Sequence, residues 1–393
     1  MRCRTYRYRL HPTHREQVAL ERQLNLQREL YNAALEERIG AWRRGHSVSY
    51  VDQTKELKEL RDVRPEVLAS GVTLCRGTLK RLDRSYAGFF RRVKAGETPG
   101  FPRFKGANRF TSLQWEDRSG WKVGCEERRL RLLGVGDVKV NLHRPVKGTP
   151  KAITVKREGR KWWLTVRCVD VPAEPLTPTG REVGVDVGVV NLVALSTGEL
   201  VRGPRCGEAT TTRLTLAQQK LARQHRGSAR RARQVEVVAS LHRKTVNQRM
   251  NAAHQLSRRL VNEFDLLVLE KLSVTSMARS PRAVVDPATP GQFLPNGAAR
   301  KAALNRSIHD AGWATLSALL TYKAESAGRD VVRVSARYTS QTCAECGNVE
   351  AGNRVSQAVF RCCSCGHEAH ADTNAARNIL RAGRAQRASA RAG

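Results

Sequence analysis

Hydrophobic and polar residues alternate at the start of the chain and then follow helical spacings. Residues 4–10 change side-chain character at successive positions, which predicts a half-buried strand. Beyond this strand, apolar residues recur every three or four positions as far as residue 94. We therefore expect a long helix that opens at residues 11–13, a second at about 51–60 and a third at about 65–94.

Short strand signals follow residues 100–106, where Gly-Phe-Pro-Arg-Phe-Lys-Gly ends the helical part. Turn residues separate these signals, as in an antiparallel sheet or barrel. The predicted strands cover residues 110–115, 130–133, 138–142, 152–156 and 161–169. The first half of the chain, residues 1–175, is thus predicted to be a β-barrel with a helical insertion at about residues 11–100.

A proline-rich segment at residues 171–180 is the predicted domain boundary. The predicted strands after it cover residues 182–186, 192–196, 200–202, 265–269 and 330–335. Helices are expected at about 210–262 and 299–328, and a last one begins near residue 372. This order, β-β-β-α-β-α-β-α, fits an RNase H-like α/β domain over residues 181–393. The basic Ala/Arg-rich tail from Arg381 onward is expected to fray.

Composition points to a globular protein with a polyanionic partner. Of the 393 residues, 40% are hydrophobic, which excludes a disordered basic tail. The 70 Lys and Arg against 36 Asp and Glu give a formal charge of +34, which favours nucleic acid as the partner. A membrane surface fits less well, because no long apolar span appears. The N-terminus lacks the apolar core of a signal peptide, so we expect a cytoplasmic protein.

Basic residues are concentrated in two places that could track a nucleic-acid backbone. The first is the predicted helix at 210–262, where acidic neighbours are too few for helical pairing, although a solvated helix face is the alternative. The second is the 100–106 segment, where phenylalanines flank the basic residues; stacking on bases and packing under the barrel explain them equally well. The candidate contact residues are Arg230, Arg231, Arg243, Lys244 and Arg249 in the first place, and Arg103 and Lys105 in the second.

Three acidic residues lie where a catalytic site could form. Asp186 ends a predicted strand, Glu270 follows the apolar run Leu-Leu-Val-Leu, and Asp372 opens the last helix. Each alone could be a turn residue, a solvated strand end or a helix cap. Together, in RNase H order on a basic chain, they predict carboxylate ligands for two Mg²⁺ ions that hydrolyse a phosphodiester.

Five of the ten cysteines lie within 23 residues. Cys343, Cys346, Cys362 and Cys365 form the pattern C-x₂-C-x₁₅-C-x₂-C, which is typical of two knuckles that hold one structural Zn²⁺. Two disulfides are the alternative, but cytosolic proteins rarely keep them. Cys363 is the extra residue and is predicted not to bind metal. The zinc ribbon is predicted over residues 339–368.

Several segments resemble the insertion-sequence-encoded TnpB (OrfB) family, compact relatives of type V CRISPR effectors. The similar segments are GFPRFK at 100–105, VGVDVG at 183–188, LHRK at 241–244, VLE at 268–270, LNRSIHDAGW at 304–313, YTSQTC at 338–343 and DTNAARN at 372–378. They extend over nearly the whole chain, and they are densest in its second half.

The resemblance implies an RNA-guided DNA endonuclease, and we expect the protein to be a monomer. The resemblance also implies a guide RNA from the transposon end, a double-stranded DNA target beside a short flanking motif, and one RuvC-like site. Asp186, Glu270 and Asp372 would be the catalytic metal ligands, and the N-terminal wedge barrel with its insertion would hold the RNA–DNA heteroduplex. A strand-transferring transposase and a non-catalytic RNA- or DNA-binding regulator remain the alternatives.

Overall fold

The protein is described by a computed structural model over residues 2–124, 128–203, 208–289 and 291–392. It divides into two compact units, one ending at Pro172 and the other beginning at Ala173. Of the five cysteines outside the cluster, Cys75 and Cys168 are buried, as packing thiols are, and Cys3 is exposed. Cys125 and Cys206 lie outside the described residues.

The first unit contains one strand, four helices and then six strands. Their bounds are β1 Arg4–His11, α1 His14–Arg43, α2 Tyr50–Val63, α3 Pro65–Ser70, α4 Val72–Lys94, β2 Ser112–Trp115, β3 Trp121–Gly124, β4 Arg129–Leu132, β5 Gly136–Asn141, β6 Thr149–Glu158 and β7 Lys161–Val169.

The seven strands of this unit form one antiparallel, barrel-like sheet in the order β2-β6-β7-β1-β5-β4-β3. The alternation predicted for β1 places Tyr6, Tyr8 and Leu10 in the core. Tyr8 pairs with Leu164 of β7, which is also buried, so both central strands present their apolar faces to one core. Strand β3 was not predicted.

The helical insertion is supported by capping and broken by a glycine. Helix α1 begins with a capping box, in which Thr13 and Glu16 each accept a backbone N–H from the other. The predicted helix at 65–94 is two helices in the structure, because Gly71 between them has φ 78°, a conformation that only glycine adopts readily.

The second unit alternates strands with helices. Its elements are β8 Glu182–Val187, β9 Asn191–Leu195, β10 Leu200–Arg202, α5 Glu208–Ala222, α6 Ala229–Glu263, β11 Leu266–Glu270, α7 Val274–Met277, α8 Ala298–Ala311, α9 Trp313–Ala327, β12 Asp330–Val334, β13 Val359–Arg361, β14 Glu368–His370 and α10 Ala371–Ala392.

Five of these strands form a mixed sheet in the order β10-β9-β8-β11-β12, covered by helices on both faces. Strands β8, β11 and β12 are parallel, while β9 and β10 are antiparallel to their neighbours. Leu267 packs in the cluster on one face with Leu260 of α6, and Val268 packs on the other face with Ile379 of α10. Burial on both faces explains the continuous apolar run before Glu270.

Helix α10 lies directly on this sheet. A Cβ atom on Gly184 of β8 would come within 2.0 Å of the Ala376 carbonyl oxygen, so only glycine permits this approach. The expectation that the tail frays from Arg381 is wrong, since α10 extends to Ala392. Arg384 and Arg387 lie 2.6 Å from Glu182 and Asp330, and these ion pairs attach the basic end of the helix to strands β8 and β12.

Two further predicted helices are each interrupted. The stretch at 210–262 forms α5 and α6, and the stretch at 299–328 forms α8 and α9. Gly312, with φ 65°, separates the second pair. Across residues 2–124, 128–203, 208–289 and 291–392, no helix combines the length and the apolar character that a membrane span requires.

Candidate active site

Asp186, Glu270 and Asp372 line one cleft of about 270 Å³ in the second unit. Strands β8 and β11 are parallel neighbours, and the pairing of Val185 with Leu269 places the acids that follow them side by side at one sheet edge. Asp372 reaches the same cleft from the first turn of α10. The structure therefore brings together the three carboxylates that the sequence singled out.

The cleft concentrates negative charge in a partly desolvated place. Burial, together with the negative charges of Glu270 and Asp372, raises the pKa of Asp186 to about 8, while Arg354 opposes the shift. Burial also raises the pKa of Glu270, against the opposing effect of a hydrogen bond from Thr339. A divalent cation would relieve this repulsion, and carboxylates are ligands that Mg²⁺ accepts. The donor set thus fits the predicted metal.

Two side chains orient Asp372 from different sides. Asn191 Nδ2 donates to Oδ2 at 3.2 Å, and Arg354 Nη2 lies 3.6 Å from Oδ1. Asn191 is buried at the start of β9. Trp313 Nε1 donates to the Gly188 carbonyl oxygen at 3.1 Å and holds the turn between Asp186 and Asn191.

Arg354 is a cleft residue that sequence reasoning missed. It lies between the two cysteine pairs, eight residues beyond Cys346, in a segment without regular spacing. No local pattern distinguishes it from the many other arginines. Only the fold shows that this segment returns to the cleft and places a guanidinium group beside Asp372.

The four predicted zinc ligands converge. Their sulfur atoms all lie within 4.8 Å of one another, with 3.7 Å between Cys343 and Cys365 and 3.5 Å between Cys346 and Cys362. Sulfurs at the corners of a tetrahedron around zinc stand about 3.8 Å apart, given a Zn–S distance of about 2.3 Å. Hydrogen bonds, the largest of them from the Cys365 N–H group, lower the pKa of Cys362 to about 6, whereas the neighbouring sulfurs raise the pKa of Cys365.

Cys363 does not belong to this group of sulfurs. Its side chain is exposed, and its backbone N–H donates to Asn353 Oδ1 at 2.8 Å. The cluster can hold one metal ion with four thiolates and no open position, which is the arrangement of a structural site.

The predicted nucleic-acid contacts lie in different settings. Arg230 and Lys244 are exposed on α6 and Arg243 is half-exposed. By contrast, Arg231 donates to the Leu221 carbonyl oxygen at 2.8 Å, and Arg249 lies 2.8 Å from Asp310. The last two therefore have structural partners within the protein.

In the first unit, Arg103 is exposed and Lys105 lies with its Nζ 5.5 Å from the centre of the Tyr31 ring. The flanking Phe101 and Phe104 are 47% and 52% exposed, so neither is packed in the barrel core. Phe101 makes edge-on contacts with Tyr86 and Phe89 of α4. This leaves aromatic faces available at the surface beside basic residues.

Comparison with known proteins assigns the chain to a family. A family model described as "Helix-turn-helix domain" matches residues 1–47, one described as "Probable transposase" matches 166–281, and one described as "Cas12f1-like, TNB domain" matches 313–379. The chain is 33% identical over 308 residues to "Putative RNA-guided DNA endonuclease InsQ" of Escherichia coli K12, covering 78% of this chain and 73% of that protein. The chain belongs to the TnpB (OrfB) family.

Other similarities agree with membership of the TnpB family. The chain is 30% identical over 390 residues to a "Putative RNA-guided DNA endonuclease" of Streptomyces pristinaespiralis, covering 97% of this chain and 89% of that protein. A solved Cas12f1–sgRNA–target DNA complex contains a chain of similar fold, with a TM-score of 0.55, 15% identity and coverage of 93% of this chain and 82% of that one. The name of the first matching model does not describe the local structure, because residues 2–47 form β1 followed by a single helix, α1.

Proposed function

We propose that this TnpB-family protein is an RNA-guided DNA endonuclease with one RuvC-like active site. The observation that carries the proposal is the convergence of Asp186, Glu270 and Asp372 in one cleft of a strongly basic chain. Relatives that match most of the chain bear the name of this activity. The order β10-β9-β8-β11-β12, with β8, β11 and β12 parallel, supports an RNase H-like assignment for the second unit.

In this proposal the three carboxylates hold two Mg²⁺ ions. When bound, the metals supply an activated water and stabilise the leaving oxygen of the phosphodiester. Asn191 holds Asp372 in place, and Arg354 gives the cleft a positive group that can face a phosphate oxygen. The four cysteines hold one structural Zn²⁺.

Sequence selection is assigned to RNA and not to the protein surface. A guide RNA from the transposon end pairs with the target strand of double-stranded DNA, and the protein reads a short flanking motif. The first unit, with its exposed Phe101 and Phe104 and basic neighbours, contributes to holding the heteroduplex or the motif. The working form is a monomer in the cytoplasm.

Replacement of the guide tests this function. The protein is purified with its RNA, the segment that pairs with DNA is changed, and plasmids matching the old or new guide are supplied with the same flank. We expect Mg²⁺-dependent cutting only where the plasmid matches the guide. Cutting that stays at the old site, or that needs no RNA, would overturn the proposal, and joining of transposon ends would indicate a transposase.

A matched pair of variants tests the active site in the same assay. Asp186→Asn keeps the size of the side chain but removes a charged ligand, so cleavage should fall far more than about tenfold while RNA binding is retained. Asp62→Asn, which changes an exposed acid on α2 outside the cleft, should cut at nearly the wild-type rate. Cleavage by Asp186→Asn within tenfold of wild type would remove Asp186 from the site.

A further inference from the structure

A chain of hydrogen bonds connects the cysteine cluster with Glu270. It begins at Thr339, which is 8% exposed and whose Oγ1 lies 2.9 Å from Glu270 Oε1. The hydroxyl has a single proton, and the Ala336 carbonyl oxygen at 3.1 Å is the more distant of its two acceptors. Thr339 lies on the segment between β12 and the first knuckle, so one residue joins the ribbon to the cleft.

Helix α10 holds Thr339 in place by a hydrogen bond to the Thr339 backbone. Asn378 Nδ2 donates to the carbonyl oxygens of Thr339 at 3.0 Å and Thr342 at 2.6 Å. A flipped amide would place its oxygen against two carbonyl oxygens, so these contacts fix the orientation of Asn378. Its Oδ1 is buried and has no hydrogen-bond partner within the described residues, which is unfavourable by itself.

The same helix also grips the knuckle. Asn374, one helical turn before Asn378, donates from Nδ2 to the Thr342 carbonyl oxygen at 2.7 Å and accepts at Oδ1 from Ala344 N–H at 2.9 Å. Ala344 directly follows Cys343, the first cysteine of the cluster. Asn374 is fully buried and Asn378 is 7% exposed, so water competes little with these bonds.

We propose that Thr339 is a positioning residue for Glu270. Asn374 and Asn378 connect Thr339 to the first cysteine pair, so a metal-bound and ordered pair keeps Thr339 in position. A glutamate at a strand end has free side-chain torsions, and fixing one carboxylate oxygen restricts the position of the other. Groups that orient a metal ligand in this way typically contribute about 10–100-fold in metal affinity. The inference rests on the proposed function only in taking Glu270 as a ligand of the catalytic metal.

The test measures metal binding without guide or target. Mn²⁺, which prefers the same oxygen ligands as Mg²⁺, is titrated into the purified full chain, and free Mn²⁺ is followed by electron paramagnetic resonance. Thr339→Val keeps the shape but lacks the hydroxyl, and it should bind Mn²⁺ about 10–100-fold more weakly. Thr339→Ser should restore binding. Thr321→Val removes a hydroxyl on α9, away from the cleft, and should bind as wild type does.

Retention of zinc separates positioning from loss of the ribbon. Asn378→Ala leaves all four cysteines intact, so it should keep one zinc per chain by elemental analysis and still weaken Mn²⁺ binding. If Thr339→Val does not fold, Thr339→Ala provides the same deletion. Mn²⁺ affinity within twofold of wild type in Thr339→Val and Asn378→Ala, or equal losses in Thr339→Val and Thr339→Ser, would overturn the inference.

The outcome is distinguishable from failure of the proposed function. If Thr339→Val loses Mn²⁺ affinity but wild type cuts no guided target, the positioning role stands and guided cleavage is rejected. If wild type cuts as the guide directs and Thr339→Val binds Mn²⁺ normally, the function stands and the positioning role is rejected.

Discussion

Two glycines of helix α4 occupy opposite environments. A Cβ atom on Gly77 would lie 2.1 Å from the backbone carbonyl oxygen of Gln114, so strand β2 approaches the helix at a point that only glycine permits. A Cβ atom on Gly88 would meet nothing within 4 Å. The same substitution in one helix should therefore have effects of opposite sign.

Gly77→Ala should destabilise the first unit by roughly 2 kcal/mol or more, because a backbone atom of β2 must move. Gly88→Ala should stabilise it by about 0.5–1 kcal/mol, since alanine has the higher helix propensity. Urea unfolding of both variants, followed by circular dichroism, measures the difference. A stabilising Gly77→Ala would show that β2 does not press on the helix at this point.

At the residue scale, sequence reasoning identified the residues with distinctive local patterns and missed those defined by space. The three carboxylates follow recognisable strand and helix boundaries, and all three line the cleft. A Cβ atom on Gly188 would come within 2.8 Å of the Asn191 carbonyl oxygen, so the glycine leaves room for the backbone next to Asp186. The spacing of nearby residues predicts neither the position of Arg354 in the cleft nor the close approach of α10 at Gly184.

At the element scale, the proline-rich segment is attached to the second unit and is not a free tether. Glu174 and Leu176 donate backbone hydrogen bonds to residues at the end of α9. Thr179 and Gly180 donate to the carboxylate of Asp265, which also lies 2.5 Å from the buried guanidinium of Arg329. Composition predicted the boundary but not this attachment, since the contacts come from Asp265 and the end of α9, which lie far along the chain.

Asp265→Ala should destabilise the second unit by roughly 2–3 kcal/mol, because Arg329 would stay buried without its partner. Partial burial opposes ionisation, but hydrogen bonds from Thr179 and Gly180 and the charge of Arg329 lower the pKa of Asp265 below its usual value. Its contribution is therefore present above the unfolded pKa of about 3.9 and is lost as pH falls through the lower folded pKa.

The difference in melting temperature between wild type and Asp265→Ala should accordingly narrow below about pH 4. Asp286→Ala serves as a control with a small and local effect, because the side chain of this half-buried acid of the same unit accepts a turn hydrogen bond from the Ala288 N–H group. If Asp265→Ala and wild type have the same melting temperature at neutral pH, the contacts of Asp265 with Thr179, Gly180 and Arg329 do not stabilise the unit.

The convergence of Cys343, Cys346, Cys362 and Cys365 was predictable from the sequence, because four cysteines at this spacing leave few alternatives. Cys362→Ser should lose the zinc, since it removes one of four converging sulfurs. Cys363→Ser should keep it, because that side chain points to solvent. Zinc content by elemental analysis decides between them. Equal losses in the two variants would contradict the ligand assignment.

Helix lengths were less predictable than helix positions. Apolar spacing continues across Gly71 and Gly312, so it predicted single helices at 65–94 and 299–328. At both glycines the backbone adopts a positive φ and the chain changes direction. Apolar periodicity predicts which face of a helix is buried. It does not predict whether a glycine within the pattern ends the helix, because that depends on the tertiary packing around the glycine.

At the scale of the whole molecule, the net charge of +34 does not show which basic residues form ion pairs within the protein. Some basic residues have internal roles, as Arg384 and Arg387 do in attaching α10 to the sheet. Sequence composition predicted a polyanionic partner from the total. It could not show which arginines are already neutralised by neighbours, because the pairs join residues far apart in sequence.

Affinity for the guide RNA should therefore fall steeply with salt. If about six phosphates are neutralised, the slope of log K against log salt is about −4. The charges on α6 should not contribute equally to this slope. Arg249 is paired with Asp310, whereas within the part of the chain that the structure describes neither Arg243 nor Lys244 forms an ion pair.

The double variant Arg243→Gln/Lys244→Gln should flatten the slope by about 1–1.5, since two phosphate contacts would be lost. Arg249→Gln should change it by clearly less, because its charge is already balanced within the protein. Filter binding of the RNA across a range of salt concentrations measures both slopes. A flat salt dependence in wild type would show that the basic surface does not bind RNA. A larger change in slope for Arg249→Gln than for the double variant would show that Arg243 and Lys244 are not the main phosphate contacts of α6.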